Sequence, residues 1–217
     1  MNKNLLEIFF SEHTVDTGRP TAAAIIHFLI TLNNYPNAYK EIEEIIMEEA
    51  FKLKNESKER MLALKSKIEA ATSAKEIIQI MRTHLDPVNQ RFIMGKAMWF
   101  EDEIIPEIIK LLKTSLNDSF IEMSVQVLVK SEKADPEKLI KAYDEIRNPY
   151  AKSLILVAIG FKADETHIPW FMEKYNELKT SYPNEKFCDG AYYALYEMAH
   201  RFYPILQITK DKKRKTE

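Results

Sequence analysis

Glycine is scarce in this chain of 217 residues: only Gly18, Gly95, Gly160 and Gly190 occur, against an average usage of roughly 7%. Phosphate-cradling loops and tight hairpin turns need glycine at several nearby positions, so a nucleotide-binding fold or a turn-rich β fold is disfavoured. Cysteine is scarcer still. Cys188 stands alone and can form neither an internal disulfide nor a cysteine-based metal site, which fits a reducing compartment. Long apolar runs are also missing. The longest, Ala22 to Leu32, contains His27 and falls short of the roughly 20 residues a membrane span requires. The N-terminal MNKNLLEIFF interrupts its apolar patch with Glu7 and has no small-residue cleavage site. These absences point to a cytoplasmic protein with no membrane span. No Gly-x-Ser-x-Gly elbow, His-Glu-x-x-His or glycine-rich phosphate loop occurs.

Net charge is −2, with a slight acidic excess over residues 86–204 and a basic excess in the tail 205–217. Proteins that grip duplex nucleic acid through many phosphates usually carry a concentrated positive face, so this pattern lowers that expectation. The tail segment KDKKRK, 210–215, reads as an electrostatic hook for nucleic acid or an acidic partner, or as a solvated terminus.

Helix signals fill the chain, and no segment shows convincing period-2 alternation. Pro20 and Pro36 open apolar helices, a further helix runs from about Ser57 to Ala71, and the capping box Ser73-Ala74-Lys75-Glu76 starts one ending near Arg82. Asp86-Pro87, Asp118-Ser119, Asn148-Pro149 and Asn184-Glu185 then each place a side-chain acceptor where a helix must begin. Seven residues on from each stand Ile93, Val125, Ile155 and Ala191; eleven on stand Ala97, Val129, Ile159 and Leu195. Both columns are apolar, as a buried face at i and i+4 demands. Partner helices open at Asp102, Asp135 and Glu165, with Pro106 and Pro169 expected to bend the first turns of two of them. The stretches DEIIPEIIKLL (102–112) and ETHIPWFMEKY (165–175) read as one part of a repeated unit.

Helix pairs at this spacing over residues 72–204 resemble HEAT-type or HEAT-like repeats. Gln90, Glu122, Lys152 and Cys188 stand where that family commonly places a basic residue, a departure from its inter-repeat Asp–Arg ladder. The resemblance implies an all-α, right-handed α–α superhelix of about 10–12 helices. Residues 1–71 would cap or continue the solenoid, 72–204 would form four helix pairs, and 205–217 would be a basic tail. The physical reason to stack is independent of the name: one helix pair cannot bury its apolar face alone.

In such a stack the second helices line an inner groove. Stepping between the buried columns places Arg91, Met94 and Met98 there, then Met123, Gln126 and Lys130, then Ser153, Leu156 and Gly160, and finally Asp189, Tyr192 and Tyr196. Arg91, Met94, Met98, Gln126, Lys130, Leu156, Tyr192 and Tyr196 are the expected partner-binding residues, since Tyr and Met suit adaptable protein contacts. The alternative is that several of them pack between repeats. Glu197-x-x-His200 and Asp164-x-x-His167 have an acid and a histidine at helical spacing, but a carboxylate-bridged di-metal site needs more ligands than these, so no metal or cofactor is expected. Trp99 and Glu103 raise a second resemblance, to HEAT-like DNA glycosylases of the alkylation-repair type, which implies an aromatic and a carboxylate (Glu103 or Asp102) acting in a basic groove. A tryptophan ending one helix and acids beginning the next are equally what packing and the helix dipole select. The leading expectation is a non-enzymatic α-solenoid that holds an unidentified protein or peptide partner, with a nucleic-acid-binding HEAT-like protein as the alternative.

Overall fold

The computed structural model describes residues 55–203, which are all-helical with no strand among them. The helices expected after Pro20 and Pro36, and the basic tail, lie outside the described residues. The elements are α1 (Asn55–Ala70), α2 (Ala74–Met81), α3 (Pro87–Ala97), a 3-10 turn (Met98–Phe100), α4 (Glu101–Leu112), α5 (Asp118–Lys130), α6 (Pro136–Glu145), α7 (Pro149–Lys162), a second 3-10 turn (Glu165–His167), α8 (Ile168–Ser181) and α9 (Asp189–Phe202).

Side-chain caps decide most helix starts. Ser73 Oγ accepts from Glu76 N, while the Glu76 carboxylate accepts from Thr72 N at 2.7 Å. Asp86, Asp135 and Asn148 cap α3, α6 and α7, each with proline in the first turn. Two expected starts move. The cap of α5 is Asn117, whose Oδ1 accepts from Phe120 N at 2.7 Å, and Asp118 falls in the first turn, where its charge suits the dipole. Asn184 caps nothing: a turn in which Glu185 N donates to Tyr182 O delays α9 to Asp189, and the Tyr182 and Phe187 rings close that turn edge to face at 5.3 Å. Pro106 does lie inside α4, which continues through it, whereas Pro169 sits in the first turn of α8 because a 3-10 turn precedes that helix.

The helices pack in two rows. The odd-numbered helices follow one another in order, α1 on α3, α3 on α5, α5 on α7 and α7 on α9. Each even helix backs the odd helix that follows it, and α2, α4 and α6 pack in sequence. Tyr143 of α6 meets Trp170 of α8 edge to face at 5.4 Å. Both apolar columns, Ile93 to Ala191 and Ala97 to Leu195, are buried. Burying each Val, Leu or Ile of that kind contributes about 1.5–3 kcal/mol.

Side chains of the odd helices and their caps also reach backbone carbonyls earlier in the chain. Near the N-terminal ends, Asn89 Nδ2 donates to Met61 O, Asn117 Nδ2 to Arg82 O and Asn148 Nδ2 to Ser115 O, at 2.9, 3.1 and 3.3 Å. Near the C-terminal ends, Lys96 donates to Glu69 O, Lys162 to Ser131 O, and Arg201 to Gly160 O and Ala163 O. The Glu69, Ser131, Gly160 and Ala163 carbonyls lie at or just past helix C-terminal ends, where carbonyls lack an intrahelical donor.

The α7–α9 contact is the tightest. A Cβ on Gly160 would stand 2.6 Å from the Ala194 Cα, and one on Gly190 only 1.8 Å from the Ser153 carbonyl oxygen. With α5 and α6 on its other sides, α7 is enclosed, and Ser153 through Gly160 are all buried.

Two stability outcomes are expected. Gly190→Ala lowers the melting temperature through a clash worth about 1–3 kcal/mol or more, whereas Gly95→Ala, where a Cβ meets nothing within 4 Å, raises stability by about 1 kcal/mol. Asn117→Asp keeps the cap acceptor and loses only the donor to Arg82 O, so urea unfolding reads a smaller loss than for Asn117→Ala, each hydrogen bond accounting for about 1 kcal/mol.

Candidate protein-interaction surface

The expected groove residues separate into interior and surface. Leu156 is 0% exposed on α7, and the face it shares with Ser153 and Gly160 is covered by α9. Gln126 and Met123 are buried on α5, which is held between α3 and α7 and backed by α2 and α4. Tyr192, 8% exposed, packs its ring edge to face with Tyr193 at 5.8 Å, and Met94 is buried on α3. The trough expected along α5 and α7 is therefore filled by their neighbours. At the surface remain Arg91 and Met98, both half-buried, Lys130, exposed at the end of α5, and Tyr196, exposed on α9. Burial lowers the pKa of the Arg91 guanidinium, which stays charged at neutral pH because its ordinary value is above 12.

An exposed apolar stripe runs along α3 and the turn that ends it. Phe92, Gly95 and Trp99 are all exposed, at i, i+3 and i+7, and Leu62 of the adjacent α1 is exposed as well. Trp99 is 77% exposed and Phe92 39%. Two lysines stand over these rings: Lys65 Nζ lies 4.4 Å from the centroid of Phe92, and Lys96 Nζ lies 4.4 Å from that of Trp99. Such contacts hold an ammonium group at the edge of an apolar patch. Helix α3 carries Arg91 and Lys96 and no acid. Its inner side is fixed independently: Asn89 is 0% exposed and bonds to both Met61 O and the Asp86 carboxylate.

Trp99 and Glu103 are not brought into one enclosed site. The Trp99 indole is turned to solvent, and Glu103 is exposed on α4. The neighbouring carboxylates are engaged elsewhere, Asp102 with the Lys133 ammonium and Glu101 with the Ser131 hydroxyl and Lys133 N. The Ser131 hydroxyl holds the Glu101 carboxyl below the usual carboxylate range, against the opposing effect of burial. The second tryptophan, Trp170, stands in the other row against Tyr143 and Phe171. His167 of the acid-x-x-His pair at 164–167 has Nδ1 3.0 Å from Asp164 and Nε2 3.0 Å from Glu137, so it links the 3-10 turn to α6. Among the described residues no group of three or more His, Cys, Asp or Glu could hold a metal, and no helix is long and apolar enough to cross a membrane.

Phe92, Gly95, Lys96, Lys65 and Leu62 were not among the residues expected to bind a partner. One sequence signal marks them: Phe92 and Trp99 fall off the Asn89, Ile93, Ala97 column, so they cannot face inward with it. Comparisons of the chain with protein-family models, with curated proteins and with solved structures each return no match.

Tyr192 and Tyr196 should respond oppositely to truncation. Tyr192→Ala is expected to cost about 3 kcal/mol or more, as removal of a large core side chain does, and Tyr196→Ala to stay within about 0.5 kcal/mol, both read by thermal unfolding of the helical circular dichroism.

Proposed function

We propose that this chain is a HEAT-like α-solenoid scaffold that binds a protein partner through the outward stripe of α3 and the adjoining face of α1. The observation that carries the reading is the stripe Phe92, Gly95, Trp99, exposed on a helix whose inner side is pinned by the buried Asn89. Tryptophan dominates binding energy at protein interfaces, and an exposed aromatic cluster on an otherwise well-packed chain marks such a surface. Arg91 and Met98 border the stripe and serve as its polar and adaptable contacts.

The solenoid part rests on the two-row packing and on the carbonyl contacts that recur from one helix pair to the next. Leu156 of α7 is enclosed whereas Phe92 and Trp99 of α3 and its following turn are exposed, and this contrast moves the proposed binding role from α5 and α7 to α3 and α1.

A photo-crosslinking amino acid at position 99 of the full chain, irradiated in host lysate, is expected to give discrete protein adducts. The same group at Glu173, exposed on α8 in the other row, is expected to give only background. Equal labelling at the two positions overturns the proposed surface.

A further inference from the structure

We infer that the α1–α3 surface takes an acidic peptide segment with an apolar anchor side chain, the anchor seated over Gly95 between Phe92 and Trp99 and the acids meeting Lys65 and Lys96. This rests on the protein-binding reading above and names the chemistry of the partner.

Gly95 is the first ground. A glycine inside a helix costs about 1 kcal/mol against alanine, and nothing within the described residues requires it here. Its backbone does not take positive φ, and an added Cβ would meet nothing within 4 Å. The other two described glycines contrast with it, since Gly160 and Gly190 each let another helix approach to a distance a Cβ would forbid. Gly95 thus keeps a notch open toward solvent, three residues after Phe92 and four before Trp99. The stripe from 92 to 99 spans about 10 Å of helix, enough for one anchor side chain and its immediate neighbours.

Charge is the second ground. Lys65 and Lys96 are held over the two rings that flank the notch, and α3 contributes no acid. The Glu69 carboxylate lies 3.7 Å from the Lys65 ammonium, while Lys96 Nζ donates to the Glu69 backbone carbonyl at 2.9 Å. Two ammonium groups against this one carboxylate leave positive charge at the rings of Phe92 and Trp99, with Glu103 lying beyond Trp99 on α4. Carboxylates on a partner gain from that local field and set its orientation. A nucleic-acid strand could also stack on Trp99, but it tracks a groove of many cations, and here the cations rim an apolar patch that includes Leu62.

The experiment measures fluorescence anisotropy of labelled synthetic probes with the full chain. The probes are a short peptide of glutamates around leucine and phenylalanine, its lysine-for-glutamate counterpart, the glutamate peptide with serine in place of its apolar residues, and a single-stranded oligothymidylate. The glutamate–leucine–phenylalanine peptide is expected to bind saturably, about tenfold or more tighter than the other two peptides, and to weaken with added salt. The double variant K65E/K96E should invert the charge preference. Gly95→Leu should abolish binding without lowering the melting temperature, because the site is open and leucine is a good helix former. Equal affinity for both charge signs, or unchanged affinity in K65E/K96E, overturns the inference and leaves the protein-binding surface standing. Failure of every peptide while position 99 still crosslinks to protein does the same. Tighter binding of the oligothymidylate, or self-association of the chain that K65E/K96E abolishes, replaces the acidic peptide as the occupant.

Discussion

The ends of a helix leave carbonyls without donors, and in this chain the next helix pair supplies many of them. Asn117 and Asn148 each do two jobs with one amide: the oxygen caps the helix that follows, and the nitrogen donates to a carbonyl about one repeat back. Lys162 and Arg201 do the equivalent at the other end, reaching Ser131 O and the carbonyls of Gly160 and Ala163. A capping Asp could perform only the first of the two Asn jobs, since a carboxylate has no donor. At the α3 start, where the cap is Asp86, the buried Asn89 donates both to that carboxylate and to Met61 O, a carbonyl within α1. Register between neighbouring helices is therefore set by directional bonds at both ends, in addition to the non-directional apolar columns between them.

That register has a consequence for where a partner can sit. Helices held this closely bring α9 onto α7 through Gly160 and Gly190, and α7 disappears into the interior with Leu156 inside it. On α1 and α3, by contrast, Leu62 and Phe92 are exposed, as is Trp99 in the turn that ends α3. The lysines there lie over aromatic rings, which keeps ring edges and ammonium groups side by side. Apolar and cationic character in one small area is the combination that recognises an acidic amphipathic segment.

Much of the architecture is readable residue by residue. Ser73, Asp86, Asp135 and Asn148 announce helix starts because a short acceptor side chain satisfies orphan N–H groups within two or three residues of itself, a strictly local matter. The columns of Ile93, Val125, Ile155 and Ala191 and of Ala97, Val129, Ile159 and Leu195 are likewise local, since helical periodicity alone puts i and i+4 on one face. Asn184 misled because its neighbour Pro183 and the Tyr182–Phe187 ring contact make a turn there, and nothing in the Asn-Glu pair itself reveals that contact.

For residues 55–203 the amino-acid order by itself determined the helical class, most of the helix boundaries, and which residues form the apolar face of α3, α5, α7 and α9, because those properties depend on neighbours within about four positions. Only the tertiary structure decided which of the remaining faces meet solvent. Met94, Gln126, Leu156 and Tyr192 are buried while Phe92 and Trp99 are exposed. The reason is that a helix has several flanks, and whether a given flank is covered depends on how closely distant segments approach, which for Leu156 under α9 turns on the absence of Cβ atoms at Gly160 and Gly190.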